Sequence, residues 1–137
     1  MFMVALLVVW PPLLFLGIAM VTGWRRLARE HPRVAPGPGA RRTHGSAAMG
    51  PLALGYNGCV IFIADDDHLH IGLVAPFGWM FHPMMSIPWA AVEFVDGGRR
   101  VGVMRRVRLR IGATRVWVPA KVVERELAVR AEIEGVE

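Results

Sequence analysis

The chain has 137 residues, 54% of them hydrophobic and 20% charged, which leaves room for one small domain and is too apolar for a disordered chain. Its net charge of +5 is local: residues 24–48 hold six Arg and one acid, residues 1–23 carry no charge, and residues 49–137 set ten bases against ten acids. Positive charge confined to a short stretch beside an apolar run weakens the nucleic-acid reading that a basic composition otherwise invites.

Phe2 to Thr22 reads FMVALLVVWPPLLFLGIAMVT without a charge, and about 20 residues at about 1.5 Å each match a hydrocarbon core of about 30 Å. No basic start and no small-residue cleavage pattern mark it as a signal peptide, so it reads as an uncleaved anchor. Pro11 and Pro12 fall mid-run, remove backbone donors and predict a kink. No base precedes the run, while Arg25, Arg26 and Arg29 follow at once. The positive-inside bias therefore predicts a single-pass protein of the bacterial inner membrane, N-terminus out and C-terminus in. Trp24 is expected in the headgroup layer, with the three arginines reaching lipid phosphates. Residues 1–30 form this anchor and its basic extension.

Residues 31–49, HPRVAPGPGARRTHGSAAM, hold three Pro and three Gly and predict a flexible arm between anchor and domain. Residues 50–137 read as the folded part. Tyr56–Ala64 and His68–Val74 form β-rich runs around the turn Asp65-Asp66-Asp67, a hairpin. Short strands follow at Met84–Ile87, closed by Pro88, at Val92–Val95, and at Val101–Met104 beyond the turn Asp96-Gly97-Gly98. Val107, Leu109 and Ile111 alternate with Arg106, Arg108 and Arg110, the mark of a strand with one wet face, and Arg115–Val118 pairs back after Gly112.

Pro119 suits a first helical turn, and Ala120–Glu134 carries Val122, Val123, Leu127 and Ala131 on one flank, with Glu126 and Arg130 spaced to pair. Six or seven short strands and one amphipathic helix predict an α+β domain: a small antiparallel β-barrel or sandwich closed by the C-terminal helix.

Three pieces of the sequence carry a resemblance: Gly23-Trp24-Arg25-Arg26-Leu27-Ala28 with His31-Pro32; the acidic turn with Leu69–Gly72; and His82-Pro83-Met84-Met85-Ser86-Ile87-Pro88-Trp89. With them the chain resembles a family of short uncharacterised bacterial proteins that have one membrane helix and a small cytoplasmic β-domain similar to pleckstrin-homology-like and GRAM-like domains. His68 stands where that pattern has Gly, and His70 where it has an aromatic residue. The resemblance implies the fold and the membrane address, and brings no catalytic, cofactor or ligand residues.

Asp65, Asp66, Asp67, His68 and His70 are the densest group of metal-ligand types, with His82 able to join only through the fold; three Asp in a turn serve backbone geometry, so no metal is assigned. Ser46, Ser86 and Cys59 lack the context of an activated nucleophile, and Gly97-Gly98 lacks the residues of a phosphate loop, so no catalytic residue is assigned. The lone Cys59 allows no internal disulfide and reads as a strand residue. Of the apolar stretch Pro76–Met85, Phe81 and Met85, with Trp89, are expected in the core, and Phe77 and Trp79 at the surface.

The sequence thus predicts a non-enzymatic module that binds no nucleic acid and needs no cofactor. It would contact anionic lipid or another membrane protein through Arg25, Arg26, Arg29, Arg106, Arg108, Arg110, Phe77 and Trp79. Each base near a charged leaflet contributes on the order of 1 kcal/mol. The alternative is an accessory subunit of a membrane complex, acting through its membrane helix. Any small-molecule ligand is unspecified.

Overall fold

The computed structural model describes residues 2–52, 54–75, 78, 81–95 and 106–136. An apolar helix α1 (Phe2–Thr22) and a short helix α2 (Trp24–Glu30) precede seven strands: β1 (Arg41–Met49), β2 (Leu54–Ala64), β3 (His68–Leu73), β4 (Met85–Pro88), β5 (Val92–Phe94), β6 (Arg106–Ile111) and β7 (Thr114–Pro119). Helix α3 (Ala120–Val136) closes the chain.

The strands form one antiparallel sheet in the order β4-β3-β2-β1-β7-β6-β5. Its two edge strands, β4 and β5, are separated by a single 3-10 turn of three residues, Trp89–Ala91. Edges that close in sequence must also be close in space, so the sheet curls into a nearly closed barrel and leaves little free edge. Along β6 the exposed arginines alternate with buried Val107, Leu109 and Ile111, as period-2 geometry requires. Phe62, Leu69, Ile71, Met85 and Val118 fill the inside with them. Arg130 secures the closing helix: its guanidinium donates to the carbonyls of Val92 at 3.0 Å and Trp89 at 2.7 Å, pairs with Glu126 at 3.0 Å, and lies 4.6 Å from the Phe94 ring centre.

The structure departs from the sequence expectation at four places. Arg41–Met49, expected in a flexible arm, is β1, paired with β2 from Arg41↔Ala64 to Met49↔Leu54 and with β7 at Ala48↔Trp117 and Met49↔Val116. Its inward residues are small where neighbours crowd them: a Cβ on Gly45 would lie 3.3 Å from Pro119 Cγ and 3.6 Å from Phe62. A strand that contributes backbone hydrogen bonds and little side chain carries no hydrophobic alternation to read. Trp24 is completely buried rather than placed among headgroups. Phe81, expected in the core, is 41% exposed, whereas Met85 and Trp89 are buried. Pro119 ends β7, and α3 begins one residue later. The strand expected at Val101–Met104 and the turn before it lie outside the described residues. Helix α1 runs through Pro11 and Pro12 without interruption.

Candidate functional site

Gly23, with φ of +83°, turns the chain between α1 and α2, a conformation open to glycine at no steric cost. That turn folds the end of α1 and the start of α2 onto the β-domain. Thr22 Oγ1 donates to Ile18 O at 2.9 Å and lies 3.0 Å from Tyr56 Oη, which in turn lies 2.9 Å from His82 Nε2. Trp24 Nε1 donates to Pro83 O at 2.8 Å. Trp24, Tyr56 and His82 pack edge to face with ring centres 5.2–5.3 Å apart, and Phe15 meets His82 at 5.8 Å. Burial pushes the Tyr56 hydroxyl up to about 12, against the smaller opposing effect of its bond with Thr22, because the phenolate would have to form away from water.

On the opposite flank of this junction, Arg26 Nη2 donates to Thr114 Oγ1 at 2.6 Å. Gly50, in the turn between β1 and β2, sits so close to α1 that a Cβ there would come within 2.9 Å of Thr22 Cα. Helix α1 and the β-domain are therefore one packed body. The expected arm does not separate them, because its first part, residues 31–37, is itself tied down. His31 O receives Ser86 N–H at 3.0 Å, and Pro32 forms a bridge with Met85.

The tie continues into a buried polar cluster. His70 Nδ1 lies 2.7 Å from Ser86 Oγ and His70 Nε2 lies 2.8 Å from Asp65 Oδ2. An ionised carboxylate accepts only, so Nε2 carries the hydrogen and donates to Asp65. Ser86 Oγ accepts Val34 N–H at 2.9 Å, and Asp65 Oδ2 accepts Gly37 N–H at 2.9 Å. The order Asp–His–Ser has the connectivity of a nucleophile relay. Here the serine oxygen is buried under the arm and already receives a backbone N–H. Asp65 Oδ1 accepts the N–H groups of Asp67 and His68 at 2.8 and 2.6 Å, which is the turn-capping role expected of it. Burial would raise the Asp65 carboxyl, but bonds from Gly37, His70, His68 and Asp67 outweigh it and hold the group well below the usual carboxylate range.

Asp65, His68 and His70 also present ligand atoms within 4.8 Å of one another. One carboxylate and two imidazoles suit zinc or a similar ion, yet all of Asp65's acceptor positions are taken by the four donors just named, and a cation would have to displace the His70 bond. Cys59, on β2, is partly buried, and burial pushes its thiol up.

Arg25, Arg26 and Arg29 are exposed along α2, with the Arg25 guanidinium 5.8 Å from the Phe81 ring centre. Arg106, Arg108 and Arg110 project from the outer face of β6, and Arg110 pairs with Glu93 at 2.6 Å. Arg110 is the cross-strand neighbour of Arg115, near the α2 arginines, whereas Arg106 and Arg108 stand apart from them. The β6–β7 turn lies beside the end of α1, in the crevice that holds Met20, Gly23, Arg26 and Arg115, so β6 leads away from it. At about 3.4 Å per residue, Arg106 stands about 14 Å further along the strand than Arg110. Phe77 and Trp79 lie outside the described residues.

Sequence reading missed the junction, since Thr22, Tyr56 and His82 are distant in the chain and individually ordinary. It also missed a groove of about 650 Å³ bordered by Arg41, Arg42, Lys121 and Arg125 over Phe62 and Val122. The groove exists because β1 and β7 part company before Ala48 and α3 bridges the gap. Compared with known proteins, the chain matches no family model, no curated protein and no solved structure.

Proposed function

We propose that the chain is a non-enzymatic, single-pass protein of the bacterial inner membrane, N-terminus out and β-domain in the cytoplasm, which acts by contact with anionic headgroups around the foot of its anchor. The observation that carries this reading is the junction itself. A helix of 21 residues, long and apolar enough to cross a membrane, passes through one glycine into a helix whose buried face is locked to the domain and whose exposed face bears Arg25, Arg26 and Arg29. Arg115 joins them at the start of β7. In this geometry the arginines nearest the exit carry the contact. Arg106 and Arg108 stand further off, and fields in salt fall away over a Debye length of about 8–10 Å. No cofactor enters the reading.

The test uses the full-length protein in nanodiscs of phosphatidylcholine with and without phosphatidylglycerol. The parent is expected to melt at a higher temperature with the anionic lipid, an advantage that high salt removes, and the variant Arg25→Gln, Arg29→Gln, Arg115→Gln to show no such rise. An equal rise in parent and variant overturns the contact. A carboxyl-terminal reporter active on the outer side of the membrane overturns the orientation.

A further inference from the structure

The anchor is shorter than it looks. Phe2–Thr22 rises about 31 Å, matching a hydrocarbon core of about 30 Å with nothing to spare, but the domain already covers one side of its last third. The Phe15 ring meets His82, Leu54 borders the same crevice as Trp10, Leu14 and Ile18, and Gly50 is pressed against Thr22. From Phe15 to Thr22 the helix rises about 10 Å, so the stretch before it, Phe2 to Leu14, supplies only about 20 Å.

We infer that Gly50–Leu52, at the start of the turn after β1, and Phe81, shortly before β4, are immersed in the leaflet from which α1 emerges, with lipid glycerol and acyl chains covering Leu52 and Phe81. The inference rests on the proposal that α1 spans a bilayer. Two independent features fit a medium without water. Leu52, at the tip of its turn, is 70% exposed and Phe81 is 41% exposed; the Arg25 guanidinium beside Phe81 can snorkel from that depth to the phosphates. The buried polar side chains at this level are partnered inside the protein: Thr22 with Ile18 O and Tyr56, Tyr56 with His82, and Trp24 with Pro83 O. Hydrocarbon offers no substitute for such partners, so a region that enters it must bring them.

The experiment places an environment-sensitive nitrobenzoxadiazole label on a single cysteine in full-length Cys59→Ser protein, reconstituted in zwitterionic phosphatidylcholine. The positions are Leu52→Cys and Phe81→Cys, with Val8→Cys in the exposed part of α1 and Arg106→Cys on β6 for comparison. Labels at 52 and 81 are expected to emit further to the blue than the label at 106 and to lose most of their intensity to lipids brominated on the acyl chain. Labels at both 52 and 81 that match 106, while the label at 8 is quenched, overturn immersion and leave the spanning helix intact. Absence of quenching at position 8 overturns the spanning helix as well. Because the vesicles carry no net charge, neither outcome depends on the arginine contact.

Discussion

Thr22, the last residue of α1, and Tyr56, in β2, are 34 positions apart in sequence and 3.0 Å apart through their hydroxyl oxygens. The end of α1 is thereby part of the core of the β-domain, and perturbing either side of this contact is expected to be felt on the other.

Gly50 is the steric counterpart of that contact. Alanine there meets both a φ of +81° and a Cβ 2.9 Å from Thr22 Cα and 3.0 Å from Val21 O. Gly58→Ala has a similar φ of +69° with nothing within 4 Å, so it isolates the cost of the backbone conformation alone, about 1 kcal/mol. Gly50→Ala is expected to lower the stability of the detergent-solubilised protein by about 1–3 kcal/mol beyond Gly58→Ala, measured by thermal melting. Equal losses would mean that the turn does not press on α1.

Tyr56 is the one tyrosine of the chain, so tyrosinate absorbance reports it alone. A hydroxyl raised from 10 to about 12 by burial should ionise late in the folded protein. Its contribution to stability is complete below about pH 10 and is lost as pH rises through about 12, because the unfolded chain ionises first. Ionisation near pH 10 with the protein still folded would place Tyr56 in water. Tyr56→Phe leaves Thr22 and His82 each short of a buried partner and is expected to cost about 1–3 kcal/mol.

Asp65 titrates at the other extreme. Its depressed carboxyl contributes fully above about pH 4, and the contribution is lost as pH falls below that value. Melting between about pH 3 and 7 should show an acid limb in the parent that is reduced in Asp65→Asn. Asp65→Ala, which strands the His70 N–H and three backbone N–H groups, is expected to cost about 2–4 kcal/mol at neutral pH. An unchanged acid limb in Asp65→Asn would assign acid sensitivity elsewhere.

Elements with a side-chain period were legible in the sequence: the β2–β3 hairpin, the alternating arginines of β6, the apolar run of α1, and the flank of α3 that buries Val122 and Val123. The strand β1 was not, because Gly45, Ser46, Ala47 and Ala48 declare neither face. That misreading matters in practice, for a fragment starting at residue 50 lacks the strand that joins β2 to β7. Trp24 misled for a different reason. An indole at the end of an apolar run suits a headgroup layer and a protein interior equally well, and the Pro83 carbonyl that decides between them is 59 positions away. The site was illegible on the same ground: Trp24, Asp65, His70, His82 and Ser86 stand in the short patterned pieces of the sequence, but which of them meet is decided by contacts across long loops. Replacing α1 by an unrelated hydrophobic helix is accordingly a disruptive exchange, because Ile18, Ala19 and Thr22 pack against the domain.

With α1 in a bilayer, as proposed, its direct splice into the domain through Gly23 removes any slack between the bilayer and the groove beside Arg41 and Lys121. Six residues of β1, His44–Met49, separate that groove from the end of the sheet beside α1, a reach of about 20 Å. Whatever meets it must arrive at one altitude above the lipid and from one compass bearing, and any rotation of the anchor about its own axis is delivered to the groove at full angle.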